Sequence, residues 1–212
     1  MAGFMQTFMN MRMYKMLTLL FWAFLVLPLQ APALAAGKIL CGSLSAPIKI
    51  EVFSDFECPS CRELYLDVMR RIIVEYGAQN KVCLIYHEFP LTSIHPYSMA
   101  AARIAEAASR LGREKQLKVF DALFMDQAQW SQDGNLEACL NKALSRAEMQ
   151  KMSTILRDPG INATIEKEIE LGQQKQIRST PTFFIFAKGK EQRVEGRVTY
   201  IALKQFIDLS LR

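Results

Sequence analysis

Two cysteines three apart, Cys58 and Cys61, lie in the run Phe56-Glu57-Cys58-Pro59-Ser60-Cys61. An apolar, strand-like stretch precedes them, Ile48-Lys49-Ile50-Glu51-Val52-Phe53, and beyond them Leu64, Val68, Ile72 and Tyr76 recur at helical spacing. The pattern puts Cys58 at the first turn of a helix. Backbone N–H groups without a helical partner and the positive end of the helix dipole favour a thiolate there. A thiolate of low pKa attacks disulfides and leaves readily in thiol–disulfide exchange. Cys61 falls one turn later on the same face, placed to resolve a mixed disulfide. Pro59 suits the first helical position, where its missing N–H would have no partner.

The same spacing is half of many zinc sites. A closed zinc site needs two more ligands, and the chain has no second Cys-x-x-Cys. Its two histidines, His87 and His95, lie eight residues apart in another segment. The spacing therefore favours redox chemistry over metal, and no metal or organic cofactor is expected. The Met-rich segment Met5 to Met16 offers soft thioether sulfur, but it lies in a stretch that reads as a targeting signal.

That signal occupies residues 1–35. Arg12 and Lys15 are the only charges before Lys38, Met16 to Leu27 is an apolar run too short to span a bilayer comfortably, and Pro28 ends it. Ala33-Leu34-Ala35 supplies small residues at the usual cleavage positions, so cleavage is expected after Ala35, with an uncleaved membrane tether as the alternative. Removing the segment leaves about 177 residues and lowers the formal charge from +5 to +3. So mild an excess, without basic clusters interleaved with aromatics, argues against nucleic acid as a partner. Export places the cysteines where disulfides form and persist, in a periplasmic or other extracytoplasmic space.

The elements that must position the cysteines follow from the pattern. Residues 36–47 read as an irregular lead-in. A strand at 48–54, a helix from Pro59 to Tyr76 stopped by Gly77, and a strand at 81–87 form a βαβ unit with parallel strands. From Pro96 to about Lys175 only helical patterns occur, among them a capping box at Ser145 and Glu148. Strands return at Thr182–Phe186 and 192–195 as a hairpin around Lys188-Gly189-Lys190, and a closing helix follows Gly196. An all-helical insertion within an α/β domain accounts for this order.

With Phe53 through Cys61 and Ser179-Thr180-Pro181-Thr182-Phe183-Phe184, the chain resembles the DsbA-like thioredoxin-fold family of thiol–disulfide oxidoreductases. Glu88-Phe89-Pro90-Leu91, and His95 leading into an Ala-rich helix, agree with that resemblance. It implies a thioredoxin fold whose first half is residues 48–91, whose helical insertion is 92–176 and whose second half is 177–212. It implies Cys58 as nucleophile and Cys61 as resolving thiol. Pro181 becomes a cis-proline facing the cysteines, and Thr180 offers its backbone to a substrate peptide. Oxidation of exported proteins through a Cys58–Cys61 disulfide, reset by a membrane redox partner, is the implied activity. A reductase or isomerase, or a copper- or zinc-binding protein of the same fold, stands as the alternative.

The sequence departs from that family in two places. Many relatives carry a buried acid six residues before the nucleophile, where this chain has Val52. Strand alternation points Glu51 to the other face, which leaves a re-aimed Glu51, Glu88 or water to handle the proton. Between the cysteines stand Pro59 and Ser60, and Ser60 offers only a weak hydroxyl donor to the thiolate.

Of the remaining cysteines, Cys41 lies seven residues before one parallel strand and Cys83 near the start of the other. Both strand starts fall at the same end of the sheet, so a Cys41–Cys83 structural disulfide is expected. Cys139, Trp130 and His87 read as core, and His95 as a residue packing beside Pro96 ahead of a helix.

Overall fold

Alternation along two apolar runs sets the centre of the molecule. The structure is a computed structural model, and it describes residues 37–212. The signal segment 1–35, its cleavage point and the Met5 to Met16 segment lie outside the described residues. Strand β1 spans Lys38–Cys41, β2 Ile48–Ser54 and β3 Val82–Glu88. β2 and β3 are parallel, in register from Ile48 opposite Val82 to Ser54 opposite Glu88. β4 (Thr182–Ala187) lies antiparallel to β2, and β5 (Lys190–Glu195) antiparallel to β4. The sheet order is β1-β3-β2-β4-β5.

Ile48, Ile50 and Val52 of β2, with Val82, Leu84 and Tyr86 of β3, face the main core. The residues between them, Phe53 in one cluster and Cys83 and Ile85 in another, face the opposite side. This is the period-two alternation expected of strands.

The helix that crosses between β2 and β3, here α1, opens at Pro59–Leu64. It widens to π geometry at Tyr65–Met69, returns to α at Arg70–Ile72 and ends in a second π stretch at Ile73–Gly77. A strict four-residue spacing drifts by about 40° per step on an ideal 3.6-residue helix. The wider π turns offset that drift, and Leu64, Val68, Ile72 and Tyr76 are all buried on one stripe. Gly77 is required by close approach, because a Cβ there would stand 2.7 Å from the Cys41 Sγ.

The segment after β3 folds as α2 (Ser98–Ser109), α3 (Arg113–Met125), α4 (Gln127–Asp133), α5 (Leu136–Ala143), α6 (Arg146–Ile155) and α7 (Gly160–Gln174). α2 buries Ala101, Ala102, Ala105, Ala107 and Ala108, small residues that let neighbouring backbones approach. The capping box forms as read, with the Ser145 side chain on the Glu148 N–H and the Glu148 carboxylate on the Ser145 N–H. α8 (Tyr200–Ser210) closes the chain.

Two expectations are corrected here. Residues 36–47 are not irregular throughout, since Lys38–Cys41 add an edge strand antiparallel to β3. Four residues are too few to show a periodicity. The second correction is the Cys41–Cys83 disulfide: both are free, buried thiols. Lys38 stands opposite Tyr86 and Ile39 opposite Ile85, a register that would bring Cys41 opposite Cys83. A bulge between Ile39 and Cys41 puts Cys41 opposite Leu84 instead. A shift of one residue turns a side chain to the other face. Cys41 thus joins the main core while Cys83 lies beneath the sheet with Ala46 and Ile85.

β1 is also fastened by charge. The buried Lys38 Nζ lies 3.1 Å from Glu168 on α7, 3.1 Å from Glu106 on α2 and 3.5 Å from Glu88 on β3. Burial alone would lower the Lys38 pKa, but the three carboxylates hold it above its ordinary value. Glu168 also accepts the Glu88 backbone N–H at 2.6 Å. This knot ties the insertion to the sheet.

Candidate active site

The end of β2 delivers the cysteines. After Ser54 the chain turns at Asp55, whose buried carboxylate accepts the Glu57 N–H and the Leu91 N–H, each at 2.8 Å. The His95 ring nitrogen Nδ1 lies 2.8 Å from the same carboxylate. The Asp55 carbonyl accepts the Cys58 N–H at 3.2 Å. Glu57 in turn accepts the Tyr97 N–H at 2.7 Å. The segment from Leu91 to Tyr97 is thereby fastened to the loop carrying Cys58.

Cys58 is the N-cap of α1, in extended conformation, with Pro59 at the first helical position. Its carbonyl accepts the Cys61 and Arg62 N–H groups, both at 3.1 Å. The peptide bond between Thr180 and Pro181 is cis, and the Cys58 thiol donates to the Thr180 carbonyl at 3.4 Å. Two segments 122 residues apart in the chain meet there.

The two thiols are electrostatically unlike. A hydrogen bond from the Cys61 thiol is the largest influence lowering the Cys58 pKa. Burial opposes it, and Thr180 and the backbone N–H groups of Cys61 and Ser60 add to it, bringing Cys58 from 9.0 to about 6. Ser60 acts through its backbone. The Thr180 hydroxyl is buried without another partner among the described residues, so it is free to turn to a thiolate. Cys61 is 1% exposed, and burial first, then the neighbouring Cys58, push its pKa well above 9.0. These influences bias Cys58 toward the thiolate and Cys61 toward the thiol.

The acid question is answered by the faces of the sheet. Glu51 points away from the cysteines, its carboxylate 3.6 Å from Lys175 and 4.0 Å from His87. Glu88 shares the face of Tyr86, and burial raises its pKa well above the usual carboxylate range. The Tyr86 ring packs 5.3 Å from Phe56, and its pKa is raised by burial, by Glu88 and by Cys61. Glu88, not Glu51, therefore lies on the Cys61 side of the sheet.

Other residues singled out fall elsewhere. His87 stacks on Phe53 at 4.5 Å, and burial holds its pKa down to about 3, so it is a neutral core residue. Trp130 is core, donating to the Leu123 carbonyl at 2.7 Å. Cys139 is buried, its pKa pushed up to about 11 by burial. His95 does more than pack beside Pro96, since it is joined to Asp55. Asp55, and Gln127, whose Nε2 donates to the Cys58 carbonyl at 3.0 Å, are parts of the site that the sequence reading passed over. Asp55 carries a local signal, an Asx turn two residues long. Gln127 carries none. Among the described residues, no group of three or more His, Cys, Asp or Glu side chains is placed to hold a metal ion, and no helix is long and apolar enough to cross a membrane.

Comparison with known proteins gives the same architecture. A family model described as thioredoxin matches residues 35–209. A probable disulfide bond formation protein D of Bacillus cereus is 24% identical over 148 residues, which cover 68% of each chain. A Na(+)/H(+) antiporter NhaA of Salinispora tropica is 28% identical over 146 residues, 68% of this chain and 21% of that protein. The crystal structure of oxidised BdbD from Bacillus subtilis superposes with a TM-score of 0.68 at 19% identity, covering 85% of this chain and 95% of that one. The fold is a thioredoxin fold with a helical insertion.

Proposed function

The chain belongs to the thioredoxin family, and on that premise we propose that it is an exported thiol–disulfide oxidoreductase that donates disulfides to cysteine-containing proteins. A substrate thiolate attacks the Cys58 sulfur of the Cys58–Cys61 disulfide. The S–S bond breaks, Cys61 leaves as a thiolate and takes up a proton, and a mixed disulfide joins Cys58 to the substrate. A second substrate thiolate attacks the substrate-side sulfur. Cys58 leaves, the substrate holds the new disulfide, and the pair has gained two electrons. A membrane redox partner removes those electrons.

The observation that carries this reading is the asymmetry of the pair. A sulfur with a pKa of about 6 is a good leaving group at neutral pH, and a buried partner thiol is kept from substrates. The Thr180 backbone beside Cys58 gives a substrate strand a place to pair. Relatives named for disulfide bond formation support the direction, and residues 1–35 support export.

The test is transfer of a disulfide from the oxidised protein to a reduced, unfolded cysteine protein, followed by mass spectrometry. Transfer is expected, with loss of activity in Cys58→Ser and a trapped mixed disulfide at Cys58 in Cys61→Ser. No transfer, or a trapped adduct on another cysteine, overturns the reading.

A further inference from the structure

The insertion touches the reacting loop through one buried amide. Gln127 is the first residue of α4 and is 4% exposed. Its Nε2 donates to the Phe56 carbonyl at 2.5 Å and to the Cys58 carbonyl at 3.0 Å. An amide nitrogen has two N–H groups, and both are spent on this loop. The Cys58 carbonyl already accepts the Cys61 and Arg62 N–H groups, so Gln127 adds a third donor to the group that starts α1.

Other contacts bring the same corner of the insertion to the loop. Arg62 donates from Nε to the Phe124 carbonyl at 3.0 Å. The Phe56 ring lies 4.6 Å from that of Phe124 and 4.9 Å from that of Phe120. These contacts hold the loop against α3, but only Gln127 grips the peptide planes on both sides of Glu57 and Cys58. The orientation of the Cys58 carbonyl fixes the backbone of the N-cap. That backbone decides whether the sulfur reaches the Cys61 thiol and the Ser60 and Cys61 N–H groups. The amide also presents its positive end to the loop that carries the thiolate.

We infer that Gln127 is a positioning residue for Cys58, through which the helical insertion sets the reactivity of the nucleophile. This rests on the redox reading above. A carbonyl clamp that served stability alone would be indifferent to the charge on Cys58.

The test is Gln127→Met, which keeps the length of the side chain and removes both donors. Its Cys58 pKa, read from thiolate absorbance, should rise by about one unit. At pH 8.5, where Cys58 stays almost fully ionised in both proteins, the equilibrium with glutathione should shift about tenfold toward the protein disulfide, because one unit is a factor of ten. Gln127→Glu sets a carboxylate against two carbonyls and should raise the pKa further. Leu140→Ala, a cavity in the core of α5, should lower the melting temperature and leave the pKa at the wild-type value. Should Gln127→Met not fold, Gln127→Asn carries the test, since its shortened amide cannot reach both carbonyls and should show the same rise. A folded Gln127 variant that melts early like Leu140→Ala but keeps the wild-type pKa and glutathione equilibrium overturns the inference. Wild-type protein whose Cys58 titrates near 9 and does not exchange with glutathione overturns the redox reading instead.

Discussion

Replacing Cys61 by alanine should raise the Cys58 pKa from about 6 to between about 7 and 8. The Cys61 thiol is the largest of the groups that lower it, ahead of Thr180 and the backbone N–H groups of Cys61 and Ser60. A hydrogen bond to a charged group is worth about 1.5–3 kcal/mol, and one pKa unit is about 1.4 kcal/mol. Losing the bond therefore costs about one to two units. The pKa does not return to 9.0, because the other donors survive the substitution. At pH 7 the thiolate fraction would fall from about 90% to between about 10 and 50%. Cys61→Ser keeps an O–H donor in the same place and should hold the pKa near 6. Absorbance at 240 nm against pH, with the alkylation rate by iodoacetamide in parallel, reads both variants. An unchanged pKa in Cys61→Ala, or an equal rise in Cys61→Ser, would refute the reasoning.

Three further outcomes follow from named contacts. The folded pKa of Cys58 is depressed below its unfolded value, so its stabilisation of the reduced protein is full above pH 9 and lost as pH falls through about 6. Cys58 keeps about 8% of its surface open to solvent, which weakens the effect, so reduced wild type should lose about 2 kcal/mol against Cys58→Ala between pH 8.5 and 5.5 in urea titrations. Lys38→Met leaves Glu88, Glu106 and Glu168 buried without their cation, and should cost about 3–5 kcal/mol by the same assay. A loss under about 1 kcal/mol would show that the carboxylates share protons without help from Lys38. Asp55→Ala removes the acceptor of the Glu57 and Leu91 N–H groups, and should cost about 3 kcal/mol and slow disulfide transfer. Transfer at the wild-type rate would detach that carboxylate from the function of the loop.

What the sequence made legible is what repeats or stays local. The βαβ unit shows in two apolar runs separated by a stripe at four-residue spacing. The hairpin shows in Thr182–Phe186 and its Gly turn, and the start of α6 in Ser145 and Glu148. Cys58 and Cys61 announce themselves by spacing. What escaped is set by distance in the chain. Lys38 looks like an exposed charge until β3, α2 and α7 each bring it a carboxylate, the Glu168 contact spanning 130 residues. Gln127 meets Cys58 across 69 residues with no pattern to mark it. The bulge in β1 moves Cys41 by one position, and that step alone separates it from Cys83. Asp55 was in view beside the motif, but its role depends on Leu91 and His95, which only the folded sheet brings near.

The most direct test of the account is the reduction potential of the Cys58–Cys61 pair in glutathione buffers. Thioredoxin, with a nucleophile pKa of about 7, lies near −270 mV, and DsbA, with about 3.5, near −120 mV. A Cys58 pKa of about 6 places this pair between them, so the account predicts a reversible disulfide with a potential clearly above −270 mV. A potential at or below that value, or no reversible disulfide between Cys58 and Cys61, would contradict it.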